Sequence, residues 1–243
     1  MSDSLLEVKG LRKLYGRKVA VADVGFAMRT GEVVGLLGPN GAGKTTVFYM
    51  LAGFLRPSAG SIELDGASLN DLSMYKRARL GISYLPQEAS IFRKLTVEEN
   101  ILAVLEARAD MDGQTRRARA KELLEEFNIE RIAKQPGYTL SGGERRRTEI
   151  ARALAIEPKF LLLDEPFTGI DPIAIHEIKK IVQRLSAAGI GVLLTDHNVR
   201  DTLDITDRSY IINLGQIIVS GDREAILGDE NARSLYLGEE FRM

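Results

Sequence analysis

Residues 33–37, Val-Val-Gly-Leu-Leu, make an apolar run one strand long, and the chain then turns through Gly38-Pro39-Asn40-Gly41-Ala42-Gly43-Lys44-Thr45 into a helix-compatible stretch at 45–54. A strand without polar alternation is one buried on both faces, as in a parallel sheet covered by helices. Glycines in the loop let backbone N–H groups converge, and the helix N-terminus that follows adds its positive end, so the unit cradles phosphate. The alternative, a glycine-rich turn without a ligand, explains neither the buried strand before the loop nor the helix after it. This is Walker A spacing, in which Lys44 reaches the β- and γ-phosphates and Thr45 offers its hydroxyl to magnesium.

The rest of the chain continues in strands and helices. Short β-like pieces at 5–8 and 19–26, broken by Tyr15-Gly16 and closed by Thr30-Gly31, predict an antiparallel flap. Residues 60–66 and 82–85 supply two more strands, after which the pattern at 96–127 turns helical. There Ala120, Leu123, Leu124 and Phe127 fall on one helix face. Ser141-Gly142-Gly143-Glu144 has capping-box spacing and opens a helix that must stop before Pro158. A buried strand at 160–163 follows. Asp171-Pro172 starts another helix, with Ile175, Ile178, Val182 and Leu185 on one face and Gly189 past its end. Residues 190–194 return as a strand, and 209–220 form a hairpin turning near Gly215. The expected fold is α/β, with a mostly parallel core sheet, the N-terminal antiparallel β flap and a helical insertion near residues 90–155, in one domain spanning 1–243.

With 33 Lys+Arg against 34 Asp+Glu, no broad basic field invites nucleic acid or an anionic membrane surface. The absence of cysteine removes disulfides and thiolate metal sites and leaves oxygen or histidine to hold a cation. The opening Met1-Ser2-Asp3-Ser4 lacks the basic and apolar pattern of an export signal, so a cytoplasmic location is expected. Apolar runs such as 160–163 and 190–194 are one strand long, so any membrane role is expected to come through partners.

Two further motifs carry chemistry. Asp164 and Glu165 end the apolar strand at 160–163, on the side of the sheet where α/β proteins bind ligands. A metal-bound triphosphate needs a carboxylate for the cation, suiting Asp164, and a base or positioner for the attacking water, suiting Glu165. Taken alone, the two could be ordinary loop acids. Leu140-Ser141-Gly142-Gly143-Glu144 offers a hydroxyl and unobstructed glycine amides at a helix start. By itself it could be a cap; about a hundred residues from the first loop and inside the helical insertion, it suggests a nucleotide shared between two chains.

With these motifs in order along nearly its whole length, the sequence resembles the ABC ATPase family. The resemblance implies a P-loop NTPase fold that binds ATP and Mg²⁺ and hydrolyses ATP. It places nucleotide on Gly38, Pro39, Asn40, Gly41, Ala42, Gly43, Lys44, Thr45 and Thr46, and magnesium on Thr45, Gln87 and Asp164. Tyr15 sits where the family stacks an aromatic on adenine, and Gln87 where it senses the membrane partner. Glu165, His197 and Gln87 take the catalytic positions, and Asp171 the acid of the loop before the next helix, where it could equally cap that helix. The family implies a head-to-tail homodimer in which Ser141, Gly142, Gly143 and Glu144 of one chain close over the nucleotide of the other. Glu144 replaces the commoner Gln, and Gly169-Ile170 the usual Ala-Leu; neither change removes a catalytic group.

Residues 84–95, the run 141–154 and the ending 236–241 resemble the lipopolysaccharide-exporting branch of the family. That branch implies two transmembrane partner subunits, attachment to the cytoplasmic face of the inner membrane, and no direct contact between this chain and lipid. Phe92 and Arg93, a few residues beyond Gln87, are expected to bind the membrane partner; a surface aromatic with solvated charges is the plainer reading. A branched-chain amino-acid importer ATPase and a soluble non-transport ABC ATPase are the rival assignments.

Overall fold

A computed structural model describes residues 3–238. The expected resemblance at Glu239, Glu240 and Phe241 lies outside the described residues. The chain opens with β1 (Leu5–Tyr15) and β2 (Lys18–Arg29), paired antiparallel, then β3 (Val33–Leu37) and α1 (Lys44–Ala52). It continues through β4 (Ala59–Leu64), β5 (Ala67–Ser68), α2 (Met74–Arg79), β6 (Ile82–Leu85), α3 (Val97–Leu105), α4 (Gly113–Glu126) and α5 (Gly142–Leu154). Next come β7 (Phe160–Asp164), α6 (Pro172–Ala187), β8 (Gly191–Thr195), α7 (Val199–Leu203), β9 (Arg208–Asn213) and β10 (Gln216–Gly221). Two short helices, α8 (Arg223–Gly228) and α9 (Glu230–Ala232), and a π turn over Arg233–Leu237 complete it.

The strands run in the order β5-β4-β1-β2-β10-β9-β3-β8-β7-β6. From β9 to β6 every pairing is parallel, whereas β5, β4, β1 and β2 pair antiparallel. The flap thus takes in β4, which the sequence pattern suggested only as a separate strand, and the two-residue β5, which it did not suggest. Register shifts at Val8/Leu11 and Leu11/Lys13 interrupt the alternation along β1. A bulged strand loses its period-two signature, so its eleven residues looked like a short piece.

Alternate side chains of the parallel strands feed two apolar layers, as a pleated strand requires. Phe160, Leu162 and Leu193 join Val47, Phe48 and Leu51 of α1 on one face. Leu161, Leu163, Val192 and Leu194 join Ile150, Leu154, Ile178 and Val182 of α5 and α6 on the other. The helices α3 and α4 add Ile101, Leu105 and Leu123 to that second layer, joined by Phe127 just past the end of α4. So α1 and α5, the two helices that begin with glycine-rich motifs, cover opposite faces of the sheet.

Candidate functional site

The loop from β3 to α1 carries Gly38, Gly41 and Gly43 at φ 153, 79 and 113. A Cβ on Gly38 would collide with the Ile212 carbonyl oxygen, and one on Gly43 would lie 2.7 Å from that of Ala20, so only glycine fits either position. Gly43 caps α1 without a side-chain hydrogen bond, and the first turn holds no acid. Its leading amides are therefore left for an anion. Lys44 is buried, and its Nζ donates to the carbonyls of Gly38 (2.7 Å) and Pro39 (3.1 Å). Burial lowers its pKa, opposed by the charges of Glu165, Asp164 and Asp196. Thr45 and Thr46 follow in the first turn.

The acids lie at the C-terminal ends of adjacent parallel strands, where open α/β sheets bind ligands. Asp164 ends β7, and burial raises its pKa, opposed by the Tyr84 hydroxyl, which donates to Oδ2 at 3.1 Å. Glu165 follows with φ 47, a left-handed backbone unusual outside glycine. Its Oε2 accepts from Gln87 Nε2 at 2.5 Å and from Thr168 Oγ1 at 3.2 Å, and its Oε1 lies 2.7 Å from His197 Nε2. Glu165 N–H donates to the Thr195 carbonyl at 2.8 Å, which ties it to the end of β8. Asp196 accepts from the amides of Phe167 (2.9 Å) and Asn198 (3.0 Å) and so shapes the turns carrying Glu165 and His197. The structure therefore brings Gln87, Glu165 and His197 together at one carboxylate.

Thr45, Asp164 and Gln87 supply only oxygen to a cation, the chemistry magnesium prefers, and Tyr84 holds just one of the two Asp164 oxygens. Among the described residues no group of three or more His, Cys, Asp or Glu could hold a metal.

Ser141 caps α5 in a complete capping box, its Oγ accepting from Glu144 N–H while the Glu144 carboxylate accepts from Ser141 N–H. A Cβ on Gly143 would stand 2.7 Å from that of Ala174, and one on Gly142 3.2 Å from the Gly169 carbonyl oxygen. The glycines thus also permit the start of α5 to approach the 169–171 bend, where Asp171 caps α6 by accepting from Ala174 N–H at 3.0 Å. Tyr15 is half exposed at the end of β1, with Lys13 Nζ 5.6 Å from the centre of its ring.

Sequence reasoning missed Arg146 and Glu149. Both are buried, 3.3 Å apart. Arg146 donates to the carbonyls of Pro86 (3.0 Å) and Asp164 (3.2 Å); Glu149 accepts from the amides of Ser90 (2.7 Å) and Ile91 (3.1 Å). They weld α5 to the segment after Gln87 and to the end of β7. Their i,i+3 spacing within a charged run reads as a solvated helix face, and only burial distinguishes them. Phe92 and Arg93 are exposed, and Arg152 lies over the Phe92 ring at 4.8 Å.

The sequence model of the family described as ABC transporter matches residues 21–168, more than half of the chain. The chain belongs to this family. The lipopolysaccharide export system ATP-binding protein LptB of Haemophilus influenzae is 55% identical to this ABC protein over 99% of the chain and 100% of its own length. A crystal structure of a nucleotide-free ATP-binding cassette from an ABC transporter, 26% identical, superposes with a TM-score of 0.87 over 97% of the chain and all of its own. A dimeric post-hydrolysis cassette bound to ADP and Pi, 28% identical, superposes with a TM-score of 0.80 over 90% of the chain and 98% of its own.

Proposed function

We propose that this ABC ATPase binds and hydrolyses ATP to power the export of lipopolysaccharide from the inner membrane through transmembrane partner subunits. The observation that carries hydrolysis is the Glu165 carboxylate, clasped by Gln87 and His197 at a strand end beside Asp164. The cargo rests on the full-length likeness to LptB.

In this reading the amides of residues 38–46 and the Lys44 ammonium bind the phosphates, and Tyr15 stacks on adenine. Thr45, Asp164 and Gln87 would hold Mg²⁺, which would neutralise charge on the β- and γ-phosphate oxygens. Glu165 orients the attacking water and takes its proton, while His197 fixes the Glu165 carboxylate and faces the γ-phosphate. Ser141, Gly142, Gly143 and Glu144 of a second copy close over that phosphate in a head-to-tail homodimer, with Asp171 at the same interface. The placement of α1 and α5 on opposite faces of one sheet supports two chains sharing a site, and the dimeric cassette supports pairing. Phe92 and Arg93 meet the membrane subunits, of which we infer two per transporter, at the cytoplasmic face. Among the described residues no helix is long and apolar enough to cross a membrane, in keeping with a partner-borne attachment.

Glu165→Gln keeps the shape but cannot take a proton. We expect kcat to fall at least ~100-fold while ATP binding persists and an ATP-bound dimer accumulates on gel filtration. Turnover near that of the unaltered chain would remove Glu165 from this role.

A further inference from the structure

Tyr84 lies on β6, and its backbone pairs with Leu162 of β7 in parallel register. Alternation along a strand therefore puts Tyr84, Leu162 and Asp164 on one face of the sheet, the face that α1 covers. The Tyr84 ring reaches along that face to the end of β7, where its hydroxyl donates to Asp164 Oδ2 at 3.1 Å. Phe48, Tyr49 and Phe54 brace the ring, their centroids 6.5, 6.2 and 5.5 Å from its own. Such packing asks only for a phenylalanine. The hydroxyl is the part the aromatic cluster does not need, and it is placed on a carboxylate that is almost fully buried. A donor seated on one oxygen occupies a lone pair there and restrains rotation of the carboxylate, which leaves Oδ1 for a cation. Calcium readily takes both oxygens of a carboxylate in a loose shell, whereas magnesium demands near-octahedral geometry, which the narrow bite of two carboxylate oxygens spoils.

We propose that Tyr84 is a positioning residue that selects the cation: by holding Asp164 Oδ2 it keeps the carboxylate to single-oxygen ligation and so favours magnesium over calcium beside ATP. The inference rests on the assignment of Asp164 to the nucleotide's cation. Tyr84 acts through Asp164 alone.

The test uses the full-length chain, Tyr84→Phe, and a nonhydrolysable ATP analogue titrated by calorimetry with Mg²⁺, with Ca²⁺ or with chelator. The unaltered chain should bind the analogue more tightly with Mg²⁺ than in either other condition. In Tyr84→Phe the affinity with Mg²⁺ should weaken about tenfold, the lower end of what losing an outer partner costs a metal ligand. Affinity with Ca²⁺ and with chelator should not fall, so the Mg²⁺ to Ca²⁺ ratio drops by the same factor. A merely structural role would lower all three together. Phe54→Ala thins the same aromatic cluster but leaves the hydroxyl, so it should keep the ratio. The proposal is overturned by an unchanged ratio in Tyr84→Phe, an equal drop in Phe54→Ala, no Mg²⁺ preference in the unaltered chain, or a Tyr84→Phe chain that does not fold cooperatively. Asp164→Ala separates the two readings: if it keeps the advantage that Mg²⁺ gives over chelator, the cation assignment fails. If it loses that advantage while Tyr84→Phe keeps the full ratio, only the role of Tyr84 fails.

Discussion

Phe92 exposes nearly half of its surface, yet its backbone is clamped by Asn100, whose Oδ1 accepts from Phe92 N–H at 2.8 Å and whose Nδ2 donates to its carbonyl at 3.1 Å. Arg152 above the ring removes further freedom. A pre-ordered exposed aromatic loses little entropy on docking, which suits an anchor. We expect Phe92→Ala to weaken assembly with membrane subunits about thirtyfold, the equivalent of ~2 kcal/mol at a central contact. Pull-down in detergent measures this, and the ATPase rate of the lone subunit should stay near normal. Normal assembly would leave Phe92 an ordinary surface ring. The sequence exposed the apolar pair Ile91-Phe92 beside basic residues, but not their fates: Ile91 is buried and Phe92 is not. Asn100 and Arg152 do the sorting, and neither is near enough in sequence for a local pattern to reveal it.

The helix α5 ties the segment after Gln87 to the end of β7 through its buried ion pair. Its cap was legible because a capping box is local, spanning Ser141 to Glu144. The buried Arg146–Glu149 pair was not, because its partners Pro86, Ser90, Ile91 and Asp164 arrive from two other parts of the chain. Removing one member of a buried pair strands the other's charge, at a cost of about 3–5 kcal/mol, whereas replacing both with apolar residues of similar size is far milder. Glu149→Leu and Arg146→Met should therefore each lower the unfolding temperature more than the double variant does. Additive losses in such a cycle would mean the two side chains act independently. Among the other elements, α2 was missed because its six residues, Met-Tyr-Lys-Arg-Ala-Arg, have no apolar face to set a period. The buried strands β3, β7 and β8 were plain, since five consecutive buried residues leave little else for an apolar run to be.

Across the whole molecule, the two helices that begin with glycine-rich motifs cover opposite faces of the sheet. Strand order is a nonlocal property, and nothing in the sequence pattern placed β3 between β9 and β8. If two chains share each site, Lys44→Ala and Ser141→Arg damage opposite halves of it. Mixed, the two inactive variants should regain ATP turnover, since each heterodimer holds one undamaged site. Heterodimers that form and stay inactive would count against sharing. The phosphate loop has a further dependence inside its own chain. Gly38 is shaped by the Ile212 carbonyl, and Ala42 accepts from Gly215 N–H at 2.9 Å, so the end of β9 and the turn after it brace both ends of a loop made far earlier. During synthesis the N-terminal strands and α1 leave the ribosome long before that brace exists, and such long-range pairing forms late. A nascent chain halted before β9 carries the whole glycine-rich motif without the Ile212 carbonyl and the Gly215 amide that brace it.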